Sequence, residues 1–164
     1  MISQGSDNSE NVSQWGNLLS DISLRRLLIV QWDRHQKIAL GNVAGRLGFE
    51  VTICSRPSDA RNLIDGTSFD SILIDSKSYD DELKNFLKWI SSIGKEKPYV
   101  ILAMKRENVG DFPGLIRSGV DDFLFVESEE EELITRLQIM ESRICQRRAD
   151  LENFAKIKRD HNRY

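Results

Sequence analysis

Few side chains in this sequence belong to the types that carry covalent or metal chemistry, and their spacing narrows the options further. The two cysteines, Cys54 and Cys145, lie far apart with neither a CxxC partner nor a histidine cluster beside them. That pattern suggests neither a disulfide framework nor a zinc site, so structural thiols are expected. His35 and His161 are the only histidines, and no nucleophile stands at a workable spacing from either of them. After the first apolar run comes Gln31-Trp32-Asp33-Arg34-His35, bulky and polar where a phosphate-cradling loop would be rich in glycine. A cofactor-binding enzyme is disfavoured on these grounds, and no catalytic residues are assigned.

The chain has 164 residues, 23 of them Lys or Arg and 26 Asp or Glu, which allows one domain with a real core plus tails. A net charge of −3 gives no electrostatic footprint for nucleic acid. No apolar run approaches the roughly 18 residues a membrane span needs, and the N-terminus lacks a basic and apolar signal pattern. A cytoplasmic protein without nucleic-acid or membrane partners is expected. Residues 1–14 are rich in Ser, Asn, Gln and acidic side chains and predict a disordered tail. Trp15, Leu18, Leu19 and Ile22 then fall at i, i+3, i+4 and i+7, a short amphipathic helix over 15–24.

The elements that must position any site follow from residue 25 onward. Short apolar runs, Leu27–Val30, Val51–Cys54, Ser71–Ile74, Tyr99–Ala103 and Phe123–Val126, alternate with stretches of helical length. Continuous apolarity marks strands covered on both faces, as in a parallel sheet with helices on each side. Gly48, Gly94 and Gly119 punctuate helix ends, Pro57-Ser58-Asp59 and Asp80-Asp81 open helices, and a fourth helix runs from about Asn108. Gly41 and Gly45, four residues apart, predict close packing of the first helix on the sheet.

The last helix is expected to start near Ser128, ahead of the acidic run Glu129–Glu132. Leu133, Leu137, Met140, Ile144, Leu151 and Phe154 continue in a 4-3-4 rhythm, interrupted by Arg147. With a rise of about 1.5 Å per residue, Ile144, Leu151 and Phe154 are expected to lie beyond the core. Residues 144–164 thus read as a helical extension of a domain spanning 25–143. Met140, Ile144, Leu151 and Phe154 would form the seam of a parallel coiled-coil homodimer.

The order of these elements, with phrases such as Leu27-Leu28-Ile29-Val30, Phe69-Asp70-Ser71-Ile72-Leu73-Ile74-Asp75 and Gly119-Val120-Asp121-Asp122-Phe123-Leu124, resembles the receiver domain of two-component response regulators over roughly residues 25–145. The resemblance implies a flavodoxin-like (CheY-like) α/β fold with strand order 2-1-3-4-5. It also implies a site at the C-terminal ends of the strands. There an aspartate accepts a phosphoryl group, acidic residues hold magnesium, and a hydroxyl and a lysine contact the phosphoryl oxygens.

Carried over position by position, the resemblance leaves only the acceptor intact, as Asp75. The acidic pair becomes Gln31 and Trp32, with Asp33 just beyond. The hydroxyl position is Ala103 and the lysine position is Val126. Trp32 is bulky enough to occlude the pocket. The turn after Asp75 is Ser76-Lys77-Ser78-Tyr79-Asp80, in which Lys77 is a candidate charge partner for Asp75 and Tyr79 a candidate switch aromatic. The expectation is a pseudo-receiver that acts through protein–protein contacts of its fourth helix, fifth strand and fifth helix and through dimerisation, without a cofactor. The alternative is an atypical response regulator still phosphorylated on Asp75, with weak magnesium binding through Asp33 and Asp75.

Overall fold

The computed structural model describes residues 25–30, 33–76 and 80–163. The expected tail and short helix ahead of residue 25, together with Gln31, Trp32, Lys77 and Tyr79, lie outside the described residues. Five strands alternate with helices: β1 Arg25–Val30, α1 Arg34–Arg46, β2 Phe49–Cys54, α2 Pro57–Gly66, β3 Ser71–Asp75, α3 Asp81–Ser92, β4 Tyr99–Met104, α4 Phe112–Arg117, β5 Asp122–Phe125 and α5 Glu130–His161. They form one sheet in the order β2-β1-β3-β4-β5, every neighbouring pair parallel. The parallel sheet is what the apolar runs led one to expect, and its order is the one that the resemblance to receiver domains implied. Val126 falls one residue past β5, and β1, β2 and β4 extend one or two residues beyond the predicted runs.

Parallel strands separated by helical crossovers bury both faces of the sheet, and alternate residues of each strand feed two cores. On one face Leu27, Ile29, Leu73, Ile101 and Leu124 meet Leu40, Val43 and Ala44 of α1 and Leu137, Met140 and Ile144 of α5. On the other, Leu28, Val30, Ile72, Ile74, Val100 and Leu102 meet Ala60 of α2, Leu83, Phe86, Leu87 and Ile90 of α3 and Leu115 of α4. The α3 residues fall at i, i+3, i+4 and i+7, so one stripe is buried while the charged side faces water. Each fully buried Leu or Ile contributes roughly 1.5–3 kcal/mol.

Local punctuation sets the boundaries. Asp80 caps α3 by accepting the Leu83 amide at 3.0 Å, and Gly48, at φ 89°, makes the left-handed turn from α1 into β2 that a side chain would strain. Three expectations need correction. The fourth helix is a 3₁₀ turn over Arg106–Asp111 followed by only six α-helical residues, because the proline at its second position and Gly110 and Gly114 give a continuous α-helix little support. Ser128 does not cap α5: the helix begins at Glu130 after Glu129, and the Ser128 hydroxyl is buried without a partner among the described residues. Of the two α1 glycines, only Gly41 faces the sheet, where a Cβ would meet Ile53 at 3.7 Å, an ordinary contact; Gly45 has nothing within 4 Å.

Candidate functional site

Asp75 closes β3 and is 6% exposed. Its backbone pairs in register with Ala103 of β4, and the next amide, Ser76, continues the ladder by donating to the Ala103 carbonyl at 2.8 Å. The strand therefore delivers this carboxylate to the C-terminal edge of the sheet, into a cavity of about 300 Å³ lined by Asp33, Asp75, Ser76, Lys105, Glu107, Asn108 and Val126. Two of the sequence-assigned positions, Asp33 and Val126, thus meet Asp75 in one place. Ala103, fully buried in the core shared with α1 and α5, contributes no hydroxyl to that cavity.

Asp33 also serves as the N-cap of α1, its carboxylate accepting the His35 amide at 3.0 Å, which satisfies an otherwise orphaned helix donor. Val126, the position to which the resemblance assigns a lysine, presents hydrocarbon, its own amide donating to the Met104 carbonyl at 3.0 Å. Among the described residues, the cation that lines the cavity is Lys105, one residue past β4, with its ammonium 3.9 Å from the Glu107 carboxylate. Sequence reading missed Lys105 because it looked for positive charge after β5 and in the loop after β3. The available signal was a lysine directly following the β4 run, at the edge where sites of open α/β sheets form.

Magnesium requires a cage of oxygens with near-octahedral geometry. Among the described residues no group of three or more His, Cys, Asp or Glu side chains is placed to hold a metal ion. Asp33 is engaged as a cap, Glu107 faces Lys105, and an ammonium shares the cavity with the two aspartates. The described donor set does not fit the ion.

The opposite edge of the sheet carries a second cluster of charge, centred on α5. Asp70 precedes β3, and Asp121 and Asp122 stand at the entry to β5. Each also satisfies a strand amide: Asp70 accepts from Arg26 at 2.9 Å, Asp121 from Val100 at 2.8 Å and Asp122 from Phe123 at 2.8 Å. All three also engage α5, and Asp121 in addition faces the Lys97 ammonium at 3.6 Å. Arg147 reaches Asp121 at 2.9 Å, Arg143 and Arg136 reach Asp122 at 3.4 and 3.6 Å, and Arg148 pairs with Asp70. Arg143 also donates to the Tyr99 hydroxyl at 2.8 Å. Burial of Tyr99 pushes its phenol above the ordinary tyrosine value, with the charges of Asp122 and Asp121 acting the same way and the Arg143 hydrogen bond opposing them.

This docking corrects the proposed dimer seam. Met140 and Ile144 are 0% and 8% exposed within the core against the sheet. Ile144 reaches it because α5 passes the strand starts closely, held there by the arginine contacts. Arg147, the apparent break in the heptad pattern, is an anchor to Asp121. Leu151 is half-buried beside a cleft of about 400 Å³ that Tyr99, Lys95 and Ile144 help to line. Only Phe154, with Ile157 near it, is widely exposed, at 58% and 60%. None of the described helices is long and apolar enough to cross a membrane.

No protein-family model matches the sequence, and no curated protein is similar to it in sequence. Solved structures are similar in fold. The receiver domain of the TMAO respiratory system response regulator TorR aligns with a TM-score of 0.66 at 21% identity, over 73% of this chain and 98% of that one. A CheY-like response regulator receiver domain protein from Methanospirillum hungatei gives 0.66 at 19%, over 78% of this chain and 99% of that one. NtrX from Brucella abortus gives 0.69 at 16%, over 79% of this chain and 29% of that longer one. The chain has the receiver, or CheY-like, fold, with a long C-terminal helix added to it.

Proposed function

We propose that this protein is a signalling module of the receiver type that works in the cytoplasm through protein contacts and self-association, not through magnesium-dependent phosphorylation of Asp75. The observation that carries this reading is the composition of the Asp75 cavity. The β4 hydroxyl position is a buried alanine, the β5 lysine position is Val126, and the described carboxylates make no metal cage. Phosphoryl transfer to a carboxylate needs countercharge aligned on the transferring group, and the described residues of the cavity supply one ammonium, already facing Glu107. The contact surface would be formed by α4, β5 and α5. There Phe112, Phe123 and Phe125 stack edge to face with centroids 4.3 and 5.3 Å apart, Ile116 is 52% exposed, and Val109 in the 3₁₀ turn ahead of α4 is 45% exposed. Incubation with radiolabelled acetyl phosphate and magnesium tests the reading: no label on Asp75 is expected, and stoichiometric labelling that vanishes in Asp75→Asn would overturn it.

The second reading, an atypical response regulator phosphorylated on Asp75, draws support from Lys105. It brings a positive charge to the cavity from a different strand than the usual one. On that reading Lys105→Ala would abolish labelling that the wild type shows.

A further inference from the structure

We infer that the distal part of α5 pairs with a second copy of this chain in antiparallel orientation, about a twofold axis passing at Phe154. This rests on the self-association proposed above and changes its geometry and its residues.

The docked part of α5 is already committed to its own domain, as Met140, Ile144 and Arg147 show. From Glu152 to Arg163 every residue is exposed, in a helix that runs unbroken to His161. Two large apolar side chains, Phe154 and Ile157, stand in this stretch. Their partner is indicated by the symmetry of the sequence around Phe154. Three residues to either side are Leu151 and Ile157; four residues to either side are Asp150 and Lys158. Positions three and four apart share one helix face, so all five residues lie on a single stripe.

An antiparallel twofold at Phe154 sets Phe154 against its copy, Leu151 against the copy's Ile157 and Asp150 against the copy's Lys158. Apolar then meets apolar, and each charge meets its opposite, twice over. A parallel pairing sets Asp150 against Asp150 and Lys158 against Lys158, which is repulsive at both positions. The cleft beside Leu151 leaves room for the incoming isoleucine, whereas the face toward Lys95, whose ammonium lies 4.7 Å from the Phe154 ring centroid, stays with its own domain. With so few apolar groups per chain the interface is small, and half-association is expected on the order of 100 μM.

Sedimentation equilibrium of the full chain between about 10 and about 1,000 μM, roughly a decade either side of that value, tests the inference. Circular dichroism of each variant confirms that folding is unchanged at these exposed sites. The wild type should dimerise and Phe154→Ser should not. Asp150→Lys and Lys158→Asp should each weaken association about tenfold, and the double variant should restore it, because only antiparallel pairing brings the two positions together. Wild-type dimers indifferent to the single charge reversals would overturn the antiparallel geometry and leave self-association standing. A wild type that is monomeric throughout would overturn both.

Discussion

The guanidinium of Arg143, on α5, donates a 2.8 Å hydrogen bond to the hydroxyl of Tyr99, the first residue of β4, across 44 positions of sequence. The same guanidinium lies 3.4 Å from Asp122, whose side chain is only 9% exposed. One arginine thus ties the long helix to the starts of two strands. Arg143→Ala should cost about 1–2 kcal/mol, because the arginine is half exposed while the groups it leaves behind are not. Chemical denaturation should show a lower midpoint with an unchanged slope. No change in midpoint would mean that the contact is ornamental.

The phenol of Tyr99 gives the protein an alkaline signature. Its folded pKa is raised above 10.0, first by burial, so folding favours the protonated form. The associated stability is complete below pH 10 and is lost as pH rises through the folded value. Absorbance titration at 295 nm should show a tyrosine ionisation displaced above 10.0, together with falling stability over that range. Tyr99→Phe should remove the late transition.

Ile144 separates the observed packing from the seam expected at first sight. Ile144→Ala should destabilise the fold by roughly 2–4 kcal/mol through loss of a buried side chain. Thermal melts should show the same drop in midpoint at every protein concentration. A drop that disappears on dilution would return Ile144 to an intermolecular seam. Ending the chain at Arg143 should destabilise the domain for the same reason, since Ile144 and Arg147 leave with the helix.

Ser71 sits at the start of β3 with no exposure, and its hydroxyl has no hydrogen-bond partner among the described residues. An unsatisfied buried hydroxyl costs about 1–3 kcal/mol. Ser71→Ala should therefore leave stability unchanged or raise it by about 1 kcal/mol, as read by urea denaturation. A loss above that size would show that the hydroxyl is bonded in solution.

Magnesium should not bind at the cavity. Titration to about 10 mM, roughly ten times a millimolar dissociation constant, followed by amide chemical shifts of Asp33, Asp75 and Ser76, should give no saturable change. A saturable response that vanishes in Asp75→Asn would support the weak site through Asp33 and Asp75.

The sequence by itself determined a parallel sheet covered on both faces, because runs such as Ser71–Ile74 and Tyr99–Ala103 are apolar at nearly every position; the strand order came with the resemblance to receiver domains. It also placed Asp75, Ala103 and Val126 at or beside strand ends, the positions at which the resemblance to receiver domains puts the site. Three matters required the tertiary structure. Lys105 joins Asp75 only because β4 and β3 end side by side, a neighbourhood no local pattern expresses. Asp33 turned out to be a helix cap as well as a cavity wall, which depends on where α1 begins. The face of α5 was misread because a heptad rhythm looks the same whether it packs on a sheet or on another helix. What assigned Met140 and Ile144 to the core was the placement of Asp70, Asp121 and Asp122 at one edge, where they draw in Arg148, Arg147 and Arg143. Those contacts span 21 to 78 residues of chain, and only the folded sheet brings their partners together.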